Sequence, residues 1–271
     1  MTKKTISCFL LLLPSLIWAN INATIQAVPG GIAEVTFVSD HKNPKAFYGI
    51  VPLYVQKLNN IQHQALIGLP LMTKSGSKRI GLQGAHQTHD LITVINHTYD
   101  NEYFESNIKQ TNTNIVEERV EYERDLFTKA RKTFSKKSLS EGYFTTPTIG
   151  RVTSGFGVNR YYNGKQGLPH MGIDIANNIG TPVNTCATGQ VILVHDFHHL
   201  GKTVVVDHGQ GLITSYSHLS KISVIKGQLL RRGEELGKIG TSGRSTGPHL
   251  HWGVFLNQVA INPELLLIEP L

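Results

Sequence analysis

The chain has 271 residues, 40% of them hydrophobic and 17% charged, a balance that fills a core and excludes wholesale disorder. Its length points to two domains, and 26 glycines with 11 prolines, free of a three-residue period, exclude a collagen-like chain and favour a turn-dense β protein. The formal charge of +7 suits anionic envelope polymers or simple solubilisation, while the absence of a basic aromatic motif argues against nucleic acid as a partner.

Residues 1–19 have the layout of a secretory signal. Lys3 and Lys4 are followed by apolar stretches at 9–13 and 16–18, too short for the roughly 20 apolar residues of a spanning helix. Ala19 and Ala23 each offer a small residue at the cut, so the signal is taken as residues 1–23 with the site open between them. Cys8 precedes the apolar core and is badly placed for lipid attachment. The expectation is an exported protein, periplasmic or cell-envelope, with no stable transmembrane span after processing. Processing removes Lys3 and Lys4 and no acid, which lowers the formal charge from +7 to +5. Only Cys186 then remains, so no intrachain disulfide forms and the thiol reads as buried and inert.

Residues 24–110 carry apolar runs of strand length, at 33–38, 47–55, 65–71 and 91–95, separated by Pro29-Gly30-Gly31, Asn59-Asn60 and Ser75-Gly76-Ser77. A small β-sandwich is the simplest reading. His41, His63, His86, His89 and His97 show no ligand spacing and read as surface or structural histidines. Within 111–140 the character changes to a charged helix from Thr113 to Lys137. It is opened by Asn114 with Glu117 at capping-box spacing, and Val116, Val120, Phe127, Ala130 and Phe134 recur at helical intervals. Its acids come first and its bases last, as the helix dipole prefers; it reads as a connector with a solvated face. From 141 to 271 the pattern is β again. The fold expectation is mainly β: a small N-terminal β-sandwich, a connecting helix and a C-terminal antiparallel β-sheet domain.

Eight of the 13 histidines lie beyond Arg151, and there the chemistry concentrates. In His170-Met171-Gly172-Ile173-Asp174 a histidine and an aspartate four apart reach one ion if the chain turns at Gly172 and enters a strand. In Gly247-Pro248-His249-Leu250-His251-Trp252 the histidines alternate with apolar residues. On a strand His249 and His251 project together while Leu250 and Trp252 enter the core. Two histidines and one aspartate leave a tetrahedral position open for water, the pattern of a catalytic zinc, which points to hydrolysis. Ser215-Tyr216-Ser217-His218-Leu219 brings a further imidazole at the end of a strand-like run, suited to flank an activated water. His195, His198 and His199 read as a solvent loop. Tyr161, Tyr162, Asn163 and Arg244 neighbour the motifs and are either substrate contacts or scaffold.

In order, the chain holds Ser154-Gly155-Phe156-Gly157, His170-x-x-x-Asp174, Gly180-Thr181-Pro182-Val183, Ala187-x-Gly189, Asp207-His208-Gly209, Tyr216-x-His218-Leu219, Gly240-x-Ser242-Gly243 with Thr246-Gly247, and His249-Leu250-His251. On these motifs residues 147–263 resemble the M23 family of zinc metallopeptidases, the lysostaphin-type peptidoglycan endopeptidases. The resemblance implies one zinc per chain on His170, Asp174 and His251, with His218 and His249 as the catalytic histidines. It also implies a zinc-activated water as nucleophile and cleavage of peptide cross-links in peptidoglycan. Gly68-Leu69-Pro70-Leu71 and the charged helix after it resemble, more weakly, the β domain that precedes the catalytic domain in some Gram-negative members. Such domains cover the groove or bind partners, and we lean towards restraint of the groove. Two other readings compete. A non-catalytic wall-binding or amidase-activating protein on the same fold is disfavoured by the intact five-residue set. A lipoyl- or biotinyl-like carrier lacks a lysine in the acceptor context. The oligomeric state is not legible in the sequence.

Overall fold

A computed structural model describes residues 27–105, 114–140, 142–269 and 271. The expected signal, residues 1–23 with Ala19 and Ala23, lies outside the described residues, as do Thr113 and the capping side chain of Asn114. Among the described residues no helix is long and apolar enough to cross a membrane.

In β1 (Ile32–Val38) the buried Ala33, Val35 and Phe37 alternate with more open positions, as on a strand with one core face. It is followed by β2 (Lys45–Tyr48), β3 (Val51–Pro52), β4 (Tyr54–Lys57), β5 (Gln62–Gly68), β6 (Gly76–Gln83) and β7 (His89–Val94). One sheet runs β1-β5-β4 and the other β3-β2-β6-β7. They close over Val35, Phe37, Ala46, Ile67, Ile80 and Val94. The β5 strand breaks the alternation because every residue from His63 to Gly68 is buried. Ala65 and Ile67 face the small core, whereas Leu66 joins Ile32 and Tyr54 in the core of the second half. A strand covered on both faces reads as a continuous apolar run, the pattern at 65–71. At Gly68 a Cβ would lie 2.5 Å from the Leu256 carbonyl oxygen, so glycine alone permits this approach.

After β8 (Asn101–Phe104), the connecting helix α1 (Asn114–Arg131) has 18 residues, shorter than the sequence suggests. Its end is set by tertiary hydrogen bonds. Thr133 N–H tightens the last turn onto Ala130 O, and the chain then pairs with the turn at 207–211. There Gln210 N–H donates to Ser135 O, and Leu139 and Ser140 N–H both donate to His208 O. Nor is the charged face wholly solvated. Glu123 is buried, accepting from Arg119 Nε at 2.7 Å and from His198 N–H at 2.7 Å, while Phe127 packs edge-on against Phe197 and Phe255. Those bonds outweigh the effect of burial and hold the Glu123 carboxyl below its ordinary pKa.

The second half comprises β9 (Arg151–Ser154), β10 (Asn159–Tyr162), β11 (Lys165–Gln166), β12 (Ile173–Ala176), β13 (Pro182–Asn184), β14 (Gly189–Phe197), β15 (Gly201–Asp207), β16 (Leu212–Ile222), β17 (Leu229–Leu230), β18 (Glu235–Ile239), β19 (His249–Leu256) and β20 (Val259–Ile261). An antiparallel sheet runs β17-β14-β15-β16-β19-β12-β9, with β13 and β18 joined through β16 and β20 through β19. A three-stranded sheet, β11-β10-β8, joins the halves, β8 lying parallel to β10. Trp252, Tyr216, Phe144, Ile173 and Ile175 fill the large core. The Cys186 thiol lies within it, 3.2 Å from the Tyr216 hydroxyl, and burial pushes its pKa up to about 12, which makes it inert.

His208 is fully buried, with Nδ1 2.9 Å from Thr188 O and Nε2 2.8 Å from Thr214 Oγ1. Burial drives its pKa down to about 4, so the neutral ring donates to one partner and accepts from the other. Between the ordinary value of 6.5 and about 4, the unfolded chain binds a proton here that the folded chain does not. Stability should fall as pH drops through that window, this group contributing roughly 3 kcal/mol when both states are fully protonated. In urea unfolding between pH 7 and 4.5, His208→Gln should lose part of that slope; a slope equal to the parent's would overturn the account.

Candidate metal centre

Sheet register assembles the centre. Asp174 on β12 stands opposite His251 on β19, and Ala176 opposite His249. Along β19, Leu250 and Trp252 are fully buried in the core, so His249 and His251 occupy the other face. His170, in the loop before β12, is buried and lies 3.0 Å from Asp174 Oδ1 through Nε2. The same nitrogen is 3.0 Å from His251 Nδ1, which is 2.8 Å from Asp174 Oδ1. His170 Nδ1 lies 2.8 Å from Gly155 O and donates to it, leaving the Nε2 lone pair facing the carboxylate. An imidazole lone pair set against a carboxylate oxygen is repulsive unless a cation or proton lies between them. One ligand atom from each residue falls within 4.8 Å of the others, and two imidazole nitrogens with one carboxylate oxygen form a donor set that zinc accepts.

Two further imidazoles flank this cluster. His249 Nδ1 is 2.9 Å from Gly247 O, and its Nε2 is 3.9 Å from Asp174 Oδ1. His218 Nδ1 is 2.8 Å from Ser242 O, and its ring centroid is 4.7 Å from that of His249 and 6.1 Å from that of His251. Burial pushes the His218 pKa down to about 4 despite the bond to Ser242. Burial also lowers His251, against its bond with Asp174. For Asp174 burial acts upward, but the neighbouring His170 and His251 rings outweigh it and hold the carboxyl far below the carboxylate range.

All five residues singled out from the sequence therefore meet in one place. The others do not. His195 lies on β14 beside Glu123 at 3.6 Å, and His198 and His199 are exposed in the turn after it. Tyr161 and Tyr162 are on β10, stacked on Tyr103 and Phe104, and the Arg244 guanidinium lies over the Tyr162 ring at 5.5 Å. Sequence reasoning missed Arg160, whose Nη2 donates to Asp174 Oδ2 at 2.9 Å, and Glu102, which touches Ser154. The sole signal for Arg160 was its place three residues after Gly157; Glu102 gave none.

By geometry this is an antiparallel β protein with a two-histidine, one-aspartate centre suited to a metal. Residues 168–263 match Peptidase family M23, and residues 25–95 match the Peptidase family M23 N-terminal domain. A solved Pseudomonas aeruginosa structure described as an M23 peptidase aligns over 91% of this chain and 97% of its own, at 35% identity and a TM-score of 0.77. The chain belongs to peptidase family M23. It is 42% identical over 113 residues to the peptidoglycan DD-endopeptidase ShyA of Vibrio cholerae, matching 41% of this chain and 26% of that one. It is 38% identical over 113 residues to the DD-carboxypeptidase/endopeptidase Mpg of Neisseria meningitidis, matching 42% of this chain and 26% of the relative. The matches thus span about a quarter of the length of these curated relatives.

Two glycines of the motifs test the packing. A Cβ on Gly172 would lie 2.7 Å from His251 Cε1 and 2.7 Å from Trp252 O, whereas one on Gly155 meets nothing within 4 Å. Gly172 thus makes room for the His251 ring. Gly172→Ala should cost about 1–3 kcal/mol in chemical denaturation, as overpacking does. Gly155→Ala should stay within about 1 kcal/mol, and the reverse ranking would overturn this reading.

Proposed function

We propose that this protein is an exported, zinc-dependent peptidoglycan endopeptidase that hydrolyses peptide bonds of cell-wall cross-links. The convergence of His170, Asp174 and His251 with His218 and His249 on one face of the sheet carries the proposal. The curated relatives support the substrate class, and their names point to the D,D bond. In this reading residues 1–23 direct export to the periplasm or cell envelope, residues 24–110 and 111–140 form the preceding domain and connector, and residues 141–271 hold the catalytic domain.

His170 Nε2, Asp174 Oδ1 and His251 Nδ1 would hold one zinc per chain. A bound zinc ion supplies Lewis acidity toward water and the scissile carbonyl. His218, kept neutral by burial and with Nδ1 occupied by Ser242 O, accepts a proton at Nε2 and returns it to the leaving amine. His249 is oriented by Gly247 O, and its Nε2, when protonated, stabilises charge on the carbonyl oxygen.

Purified protein should carry about one zinc per chain, and chelation should abolish release of cross-link fragments from isolated peptidoglycan, with mass spectrometry identifying the bond. Digestion undiminished in excess EDTA would end the metallopeptidase reading.

His251→Ala should lose zinc and turnover together. His218→Ala and His249→Ala should keep zinc near stoichiometric while turnover drops by roughly 10²–10⁴-fold. If His249→Ala loses the metal and His251→Ala does not, the assignment along β19 is reversed.

A further inference from the structure

The β8 strand belongs to the first half of the chain, yet it joins the second half beside the metal centre. It pairs in parallel with β10 in a register that sets Glu102 against Arg160. The docking is well built: Tyr103 stacks on Tyr161 at 5.1 Å and Phe104 on Tyr162 at 5.2 Å between ring centroids. Ahead of the strand, Tyr99 packs against Gly157, where a Cβ would fall 2.3 Å from its ring, and its hydroxyl donates to Pro29 O at 2.7 Å.

From this position Glu102 Oε2 accepts from the Ser154 hydroxyl at 3.1 Å and lies 3.7 Å from Arg160 Nε. Arg160 Nη2 donates to Ser154 Oγ at 3.0 Å and to Asp174 Oδ2 at 2.9 Å. Ser154 Oγ is also 3.1 Å from His170 Nδ1. The hydrogens balance: the serine gives its proton to Glu102 and accepts from Arg160, and the His170 Nδ1–H is shared between Gly155 O and the serine oxygen. That arrangement keeps the His170 Nε2 lone pair free and turns Asp174 Oδ1 towards it.

We propose that Glu102 is a positioning residue of the metal centre, supplied by the first half and acting through Ser154 and Arg160 on His170 and Asp174. This rests on the zinc assignment above. Charge explains why an acid is needed. The Arg160 guanidinium competes with a cation for the Asp174 carboxylate, and Glu102 offsets that positive charge. Without Glu102, Arg160 draws Asp174 away and the serine loses its acceptor. The first half is then a component of the centre, opposite in sign to a restraint of the groove.

The test uses full-length protein, with zinc affinity measured by chelator competition and folding of the metal-free form by thermal unfolding. Glu102→Ala should weaken zinc binding about 10–100-fold, the usual effect of losing an outer-shell partner. Glu102→Gln keeps the volume and the serine bond but loses the charge, and should fall between Glu102→Ala and the parent; it carries the test should the alanine variant fold poorly. Arg160→Gln in the Glu102→Ala background should recover part of the lost affinity, because it removes the charge that competes for Asp174 once Glu102 is gone. Parent-like zinc affinity in a folded Glu102→Gln or Glu102→Ala, or fully additive losses, would overturn the proposal and leave the zinc assignment intact. Failure of the parent to bind zinc would remove both.

Discussion

The register between β12 and β19 is the constraint on which the site depends. Ile173 faces Trp252 and Ile175 faces Leu250, all fully buried, while Asp174 faces His251 on the opposite surface. A slip of β19 by one residue would put His249 and His251 into the core and Trp252 into the groove, leaving Asp174 without them. Burying unpaired polar groups costs several kcal/mol each by the usual order of magnitude, so the hydrophobic partners select the geometry of the candidate centre as a by-product of packing. The same sheet fixes the third side, because Ser217 on β16 stands opposite His251.

The first half is tied to this sheet by more than its connecting helix. Ile32, Tyr54 and Leu66 share the large core, and Gln210 exchanges two hydrogen bonds with the backbone of Val55, at 2.9 and 3.1 Å. Asn257 Nδ2 donates to Pro52 O at 3.2 Å and Asn262 N–H to Gly30 O at 2.9 Å. A strand such as β5, buried on both faces, cannot leave without exposing two cores at once. The β8 strand therefore approaches the candidate metal centre from a body already fixed in place, and it carries Glu102 to Arg160.

Much of this was legible in the sequence because it follows short periods. Alternation at Leu250 and Trp252 announced the face carrying His249 and His251, and the apolar run at 65–71 announced a strand, found at Gln62–Gly68, without announcing that both its faces are buried. The helix was visible from its spacing, but its end was not, since Arg131 is the last helical residue only because Ser135, Leu139 and Ser140 find partners in the turn at 207–211. His195 read as part of a solvent loop; it lies on β14 and its neighbour is Glu123 on the helix, a pairing across 72 positions that no local pattern encodes. Glu102 was illegible for the same reason, being brought to Arg160 by a parallel pairing between strands 58 residues apart.

His218 shows what a β-sheet must do to place a residue against its own periodicity. Tyr216 pairs with Trp252 in the core, and Ser217 pairs with His251, so alternation would return residue 218 to the core side. Instead His218 adopts a left-handed backbone with φ of 62°, beside a break in register between β15 and β16. Such a conformation in a residue with a side chain costs about 1–3 kcal/mol and persists only where the surroundings over-determine it. Here the surroundings are explicit. His218 N–H donates to Leu200 O at 2.9 Å, and its ring is held by Ser242 O at 2.8 Å. The Ser242 loop can reach that far because Gly201 and Gly243 touch backbone to backbone, where a Cβ on either would lie 2.3 Å from an atom of the other strand of the contact. The motifs Tyr216-x-His218 and Gly240-x-Ser242-Gly243, far apart in sequence, are two parts of one device that turns an imidazole out of the core and onto the face shared by His249 and His251.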